Sequence, residues 1–433
     1  MTKRILILFC FLIYSQITIH AQDLTAIIKN HETNLRDLYN KRGAPEEWLT
    51  TGQVDETSLI NVLKQYKQNV AILIYSYNQD TLNLSLITTK GLTKTKKHNI
   101  SPLTLKQDIE DINTLFSSQF SASIPKLRGS KVIQNKKSKQ KLTSTYKKVN
   151  QLLLPDDFGL KSYNHIILVP VLNISTLPFA AFKVNDEFLI DRMSFSIAPS
   201  LFELMVSNTI NGRKTQAKSF SYSWENALFV VNPKYPKDGL WDFPDLPGAN
   251  KEVEQITNLI SKENYTILTK EKATKTAIQE NICQYDLLYF ATHGISNADM
   301  PLDHSFLVVA EEENNNSFYT MKEIMNQRYN CLLKANLVVL SACQTGLGKA
   351  HEGGIIGLAR AFQIAGANHV VMSLWSINDA ETAKLMEFFF KELIKENSLQ
   401  PHEALRTAIV KYKKEVNNDP IYWASFSIFG IPY

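Results

Sequence analysis

The chain has 433 residues, of which 44% are hydrophobic and 10% aromatic, so it can bury a large core and form two or three domains. Its net charge of +5 is too balanced to indicate a nucleic-acid-binding protein. No period of about 20 to 50 residues recurs along the chain, which excludes a solenoid.

The first residues combine positive charge with a short apolar stretch. Lys3 and Arg4 precede apolar residues 5–19, and Ala21 follows as a small residue suited to cleavage. This pattern predicts a signal peptide over residues 1–21 and an exported protein, periplasmic or extracellular, whose mature chain has no transmembrane anchor. The alternative is an ordinary buried amino-terminal helix. Cleavage would remove two basic residues and lower the net charge from +5 to +3.

Three cysteines follow residue 21: Cys283, Cys331 and Cys343. Outside the cytosol an odd number leaves at least one thiol free, unless it pairs with another chain. The sequence contains no Cys-x-x-Cys motif and no histidine pair at zinc-binding spacing, so it predicts no metal site.

The first half of the chain predicts a short helical region followed by a hairpin and mixed elements. Residues 22–54 are polar and predict one or two helices, and Asn78-Gln79-Asp80 predicts the turn of the hairpin. Residues 188–199 predict a further strand and an exposed connection. The other predicted elements are helices over 56–66 and 103–120 and strands over 70–77, 82–88 and 166–171.

A basic run, residues 128–148, contains eight lysines and arginines with almost no aromatic residues. A solvated loop leading into a helix explains it better than a surface for nucleic acid. The basic residues are Arg128, Lys131, Lys136, Lys137, Lys139, Lys141, Lys147 and Lys148.

The second half alternates strands and helices, which predicts a parallel sheet and an α/β fold. The polar run 311–316 separates two short extended stretches and predicts a mobile hairpin tip. The predicted strands are 227–231, 265–268, 287–290, 337–340 and 369–374, and the predicted helices are 249–260, 275–281, 353–365 and 380–395.

Two of these strands end in residues that suit nucleophilic catalysis. Cys343 follows strand 337–340, and His293 follows strand 287–290, fifty residues upstream. A thiol needs a nearby base because the thiolate is the nucleophile. The backbone N–H groups of Gly294 and Cys343 could form an oxyanion hole. Each residue also has a simpler interpretation, an inert buried thiol and a structural histidine.

Several ordered motifs surround and follow the two strand ends. They are Tyr289-Phe290-Ala291-Thr292-His293-Gly294, Leu340-Ser341-Ala342-Cys343-Gln344-Thr345-Gly346, Gly357-Leu358-Ala359-Arg360-Ala361-Phe362, Ala365-Gly366-Ala367, Ser373-Leu374-Trp375, Asp379 and Trp423-Ala424-Ser425-Phe426. Together these motifs resemble the CHAT family of caspase-like cysteine peptidases related to separase. Weaker similarity extends upstream to about residue 55.

The resemblance implies a caspase-like, mostly parallel sheet sandwiched by helices, preceded by a degenerate caspase-like half. The non-catalytic half would span residues 55–215 and the catalytic half 216–433. It also implies a peptidase that acts on a protein or peptide substrate, with His293 as general base and Cys343 as nucleophile. No cofactor is needed for this chemistry.

Two residues after the predicted helix 353–365 are candidates for substrate binding by the same resemblance. Asp379 would hold a basic side chain of the substrate, although it could instead cap the helix that follows. Trp375 would form a wall of the cleft, or belong to the core.

Family members commonly carry tetratricopeptide or other sensing modules. We therefore expect activation by a separate sensor or activator protein, or by self-cleavage at 128–148 or 311–316.

Two other functions stay open. One is a non-catalytic caspase-fold scaffold that binds a partner protein; the other is a thiol acyltransferase or amidase.

Overall fold

The computed structural model of the protein describes residues 24–34, 54–117, 126–127, 139–201, 204–205, 226–237, 241–297, 300–313, 315–341, 352–375, 379–395 and 399–432. The predicted signal peptide lies outside these residues and stays a prediction. Within them, no helix is both long and apolar enough to cross a bilayer.

The strands, in chain order, are β1 (Val70–Asn78), β2 (Thr81–Thr88), β3 (Gly91–Asn99), β4 (Lys126–Leu127), β5 (His165–Val169), β6 (Lys183–Val184), β7 (Glu187–Phe188), β8 (Ser194–Ile197), β9 (Ala227–Pro233), β10 (Trp241–Asp242), β11 (Tyr265–Lys270), β12 (Leu287–Ala291), β13 (Gly294–Ile295), β14 (Phe306–Val308), β15 (Phe318–Thr320), β16 (Leu337–Leu340), β17 (His369–Ser373) and β18 (Phe426–Phe429).

The α-helices span residues 24–34, Glu56–Gln65, Pro102–Ser117, Lys139–Leu153, Leu189–Arg192, Pro247–Thr257, Lys275–Asn281, Pro301–His304, Met321–Asn330, Glu352–Ile364, Asp379–Leu393, Pro401–Glu415 and Pro420–Trp423.

Eleven strands form one sheet in the order β11-β9-β12-β16-β17-β18-β8-β5-β1-β2-β3. Its neighbouring strands are parallel except at β17–β18, β1–β2 and β2–β3, which are antiparallel. The predicted mostly parallel α/β fold is therefore confirmed.

The central strands are apolar throughout because helices and loops cover both faces of the sheet. Every residue of β12, β16 and β17 is buried. In β1, alternate residues enter different cores: Leu73 and Tyr75 pack in the larger cluster, whereas Ile72 and Ile74 pack in a second one. This two-sided burial explains why the sequence shows continuous apolar runs rather than alternation.

The last strand in chain order, β18, pairs in parallel with β8, a strand from the middle of the chain, at Phe429 and Ile197. The strand predicted within residues 188–199 is β8, and the exposed connection predicted there is limited to Asp191 and Arg192. Residues 194–200 are buried because β8 lies in the middle of the sheet, between β5 and β18.

The structure tests the predictions for two surface segments: the basic run leads into a helix, as predicted, whereas the polar run 311–316 differs from its predicted form. The helix Lys139–Leu153 takes up much of the basic run, and residues 128–138 lie outside the described residues. The expected mobile tip at 311–316 is instead anchored to the neighbouring helix: the Glu312 carboxylate accepts 3.0 Å hydrogen bonds from the backbone N–H and hydroxyl of Thr276. Buried Lys275 donates to Asn316 at 2.9 Å and pairs with Glu323 at 2.8 Å.

Buried histidines lie near the junction of β5, β8 and the carboxyl-terminal elements. His165 contacts the hydroxyls of Ser194 and Ser196 at 2.9 and 3.0 Å, and its ring centre is 4.3 Å from that of His402. Burial, with a smaller effect of His369, lowers the pKa of His165 from 6.5 to about 3. Burial also lowers the pKa of His402 well below 6.5. Both rings are therefore neutral at pH 7.

We expect His165 to make the fold sensitive to acid. The unfolded chain binds a proton at this residue below pH 6.5, whereas the folded ring binds one only near pH 3. The stability that the neutral His165 ring contributes is therefore fully present above pH 6.5 and is lost as the pH falls. At pH 5 the free energy of unfolding should be lower by about 2 kcal/mol. Urea denaturation between pH 8 and 5 measures this change in the free energy of unfolding. His165→Gln should flatten this pH dependence, and identical slopes in the wild type and the variant would contradict the prediction.

A disulfide joins Cys283 to Cys331, across 48 residues of sequence. Cys283 precedes β12 and Cys331 precedes β16, so the bond links the amino ends of two neighbouring strands. Closing a loop of this size restricts the unfolded chain and stabilises the fold by about 4 kcal/mol.

Thiol counting tests this pairing. In denaturant without reductant, the chain from residue 22 onwards should show a single thiol, because Cys343 is the remaining cysteine in that sequence. Reduction should raise the count to three. Cys343→Ala should show none before reduction, and three thiols in the unreduced wild-type protein would disprove the disulfide.

Candidate active site

The two strands that carry the candidate residues are neighbours. β12 pairs in parallel with β16, with Leu287 opposite Leu337 and Phe290 opposite Leu340. Parallel strands in register end at the same edge of a sheet, where open α/β sheets bind their ligands. The strands that precede His293 and Cys343 are therefore neighbours. Cys343 itself lies outside the described residues, so its pairing with His293 stays a prediction.

His293 is almost fully buried between aromatic rings, with 2% of its surface exposed. Its ring centre lies 4.7 Å from that of Tyr235 and 5.6 Å from that of Phe243. These rings belong to a small apolar cluster that also contains Ile295, Phe306 and Val308, with Trp241 and Phe318 partly buried at its margin. This cluster, separate from the main core, restricts the orientation of the imidazole.

A backbone carbonyl fixes the protonation pattern of the imidazole. Nε2 of His293 lies 2.6 Å from the carbonyl oxygen of Pro244. Because a carbonyl can only accept, Nε2 must carry the hydrogen, and in the neutral ring Nδ1 is then the unprotonated nitrogen. The nitrogen that can accept a proton is thus Nδ1.

The electrostatic surroundings keep His293 in its basic form at neutral pH. Burial lowers the pKa of the ring below 6.5, and the Pro244 carbonyl and the Asp245 carboxylate oppose this effect only in part. A neutral imidazole at pH 7 can remove a proton from a thiol.

The residues on either side of His293 are attached to β14. The Thr292 hydroxyl donates to the carbonyl of Val308 at 2.6 Å, and the N–H of Val308 donates to the carbonyl of His293 at 2.8 Å. The next pair in this antiparallel ladder, Gly294 with Leu307, is then a non-hydrogen-bonded pair, so the N–H of Gly294 points away from β14. That direction suits the predicted oxyanion donor.

Trp375 lies in the core. It is 1% exposed, its Nε1–H donates to the carbonyl of Ile421 at 3.0 Å, and its ring packs 5.2 Å from that of Phe116. These contacts agree with the core alternative and give no support to a role as a cleft wall.

Asp379 is the first residue of the helix Asp379–Leu393, as expected for a residue at a helix start. Its side chain lies outside the described residues. Both of its predicted roles, helix cap and holder of a basic substrate side chain, stay predictions.

Sequence reasoning missed the Pro244 carbonyl and the aromatic rings around His293. A backbone carbonyl has no side-chain signature, and Pro244 lies 49 residues from His293 in the sequence. The available signal was the aromatic-rich stretch 235–243 before Pro247, the first residue of a helix. Among the described residues, no group of three or more His, Cys, Asp or Glu could hold a metal ion.

The fold places the protein among the caspase-like α/β proteins. It is similar to separase in the Saccharomyces cerevisiae separase–securin complex, with a TM-score of 0.54 and 13% identity over 92% of this chain and 33% of that chain. A second structure of that complex gives a TM-score of 0.52, with 12% identity and the same coverage.

The chain belongs to the CHAT domain family, whose sequence pattern matches residues 142–431. The family inferred from the sequence motifs is thereby confirmed. Tetratricopeptide repeat protein 28 of Mus musculus is 23% identical over 380 residues, covering 78% of this chain. The Homo sapiens protein is 25% identical over 301 residues, covering 62% of this chain. The chain spans only 15% and 12% of the lengths of these relatives.

We expect the pKa of His293 to rise when the aromatic wall is opened. In Phe243→Ala, water reaches the ring and weakens the burial effect, which is the largest cause of the lowered pKa. NMR titration of histidine-labelled wild-type and Phe243→Ala protein measures the change. A midpoint that stays at the wild-type value in Phe243→Ala would contradict this account of the site.

Proposed function

We propose that the protein is a cysteine endopeptidase that hydrolyses peptide bonds with a His293–Cys343 dyad. The observation that carries the proposal is the 2.6 Å contact between Nε2 of His293 and the Pro244 carbonyl, at the end of β12. It leaves Nδ1 of His293 as the proton acceptor. His293 follows β12, and the neighbouring strand β16 leads to Cys343 three residues later. Membership of the CHAT domain family and the caspase-like fold support the same chemistry.

In the first step, Nδ1 of His293 takes the proton of the Cys343 thiol, and the thiolate attacks the peptide carbonyl carbon. The carbonyl oxygen becomes an oxyanion, held by the N–H groups of Gly294 and Cys343. The C–N bond then breaks, and His293 returns the proton to the leaving amine.

In the second step, water hydrolyses the thioester that links the acyl group to Cys343. His293 takes a proton from this water as it attacks, and the carboxylic acid product leaves as the thiol re-forms. The burial of His293 supports both steps, because an imidazole that is neutral at pH 7 is ready to act as a base.

The site is expected to work outside the cytosol. The Cys283–Cys331 disulfide supports export, because such bonds persist in oxidising compartments, whether periplasmic or extracellular. A protein or peptide is the substrate, and a separate sensor or activator protein, or self-cleavage, switches the enzyme on.

Replacing the nucleophile tests the proposal. Cys343→Ala should abolish cleavage of a peptide library, at least a 10³-fold loss, because no other step can form the acyl-enzyme. The melting temperature should stay within a few degrees of the wild-type value. Cleavage that persists in Cys343→Ala would refute the assignment.

A probe experiment separates the peptidase from the scaffold alternative. Cys343 of an assembled dyad should react with an electrophilic peptide probe faster than a free thiol, and His293→Ala should remove the excess rate. Labelling at the rate of a free thiol would favour the scaffold. Mass spectrometry of the products, with an added amine, separates hydrolysis from acyl transfer.

A further inference from the structure

The carbonyl that binds His293 lies in a short segment, residues 241–246, that needs anchors of its own. Its first residues pair with β4, Trp241 opposite Leu127 and Asp242 opposite Lys126. Its last residue, Leu246, immediately precedes the helix Pro247–Thr257. The position of the Pro244 carbonyl therefore depends on what holds the segment near Leu246.

Asn232 supplies a contact at that end. Its side-chain oxygen accepts a 3.0 Å hydrogen bond from the N–H of Leu246. Leu246 is two residues from Pro244, so this bond fixes the chain next to the carbonyl. Asn232 itself is half-buried at the carboxyl end of β9, a strand that pairs with β12.

The backbone at Asn232 is unusual. The ladder between β9 and β11 skips this residue, since Thr269 pairs with Val231 and Lys270 pairs with Pro233. Asn232 also has a φ of +41°, the left-handed region that few residues other than glycine, asparagine and aspartate adopt readily. A bulge of this kind turns a side chain away from its regular direction, and such bulges are over-represented next to active sites.

The position requires two properties that few residues combine. Glycine tolerates the backbone but has no side-chain acceptor, and alanine lacks the acceptor and is strained by the backbone. Asparagine and aspartate tolerate the left-handed region and also carry an oxygen of the right length. A residue that served only the turn would not need the acceptor, whereas this oxygen contacts the segment that binds the base.

We propose that Asn232 is a positioning residue for the catalytic base: through Leu246 it sets the 241–246 segment so that the Pro244 carbonyl accepts the hydrogen bond from Nε2–H of His293. The inference rests on the proposed function for its effect on catalysis. Its effect on His293 is independent of whether the protein cleaves peptides.

Three proteins test this: the wild type, Asn232→Gly and Asn232→Asp. The glycine variant keeps the backbone conformation and loses the acceptor, and the aspartate variant keeps both. The readout is the Nε2 proton of His293 by NMR in water, assigned by its loss in His293→Gln. A hydrogen-bonded ring proton exchanges slowly, so its exchange rate reports the bond to Pro244.

We expect Asn232→Gly to raise the exchange rate of this proton roughly two- to tenfold, the effect of losing one hydrogen bond, while Asn232→Asp keeps the wild-type rate. For peptide cleavage, kcat should fall by a similar factor in Asn232→Gly with KM unchanged. A purely structural role would lower the melting temperature of the glycine variant and leave the His293 proton unchanged, and that result would overturn the proposal.

A measurement on the wild-type protein keeps the test valid if the glycine variant fails to fold. The amide of Leu246 should be protected from hydrogen exchange, and exchange at the rate of an exposed amide would refute the anchor.

The proposed function and the positioning role of Asn232 can fail separately. A wild-type protein with no cleavage but with the expected NMR pattern refutes only the peptidase. Cleavage with an unchanged His293 proton in Asn232→Gly refutes only the positioning role.

Discussion

The parallel pairing of β12 with β16 is the constraint on which the candidate site depends. Residues after β12 and β16 emerge at one edge because the two strands run in the same direction and in register. A shift of the pairing by one residue would turn the side chains of a strand to the opposite faces. Two-sided burial of both strands makes such a shift costly, since every side chain of each strand is packed. The geometry of the strand ends is thus a consequence of core packing.

The base is oriented by a different kind of contact. His293 is held by aromatic packing, by the Pro244 carbonyl and by the attachment of its own carbonyl to Val308. These three contacts act on the ring, on Nε2 and on the backbone, and together they leave little rotational freedom. Burial lowers the pKa of the same ring. The packing that fixes the orientation of the imidazole also keeps it neutral.

The sequence was most informative where the signal for an element is local. Residues 337–340 and 275–281 were predicted with the bounds that the structure has, because a continuous apolar run and a capped amphipathic segment are local signals. The helix Met321–Asn330 has few apolar residues and was missed, although its capping box of Thr320 and Glu323 is a readable signal.

The residues of the candidate site also divide into those that a local sequence pattern indicates and those that it does not. His293 and Gly294 were predicted as site residues because they follow a buried strand. Pro244 and Asn232 were missed because their roles depend on where the backbone lies after folding: one contributes a carbonyl, and the other an oxygen from a bulged position. No local pattern specifies that residue 244 meets residue 293.

The Cys283–Cys331 bond affects how processing of this chain would be observed. It encloses residues 284–330, which include His293 and the anchored segment 311–316. A single cut inside that loop leaves the two pieces covalently joined, with His293 and Cys343 still in one molecule. On a gel without reductant the cut protein would run as one species of unchanged mass. Maturation at this place would become visible only after the bond is reduced.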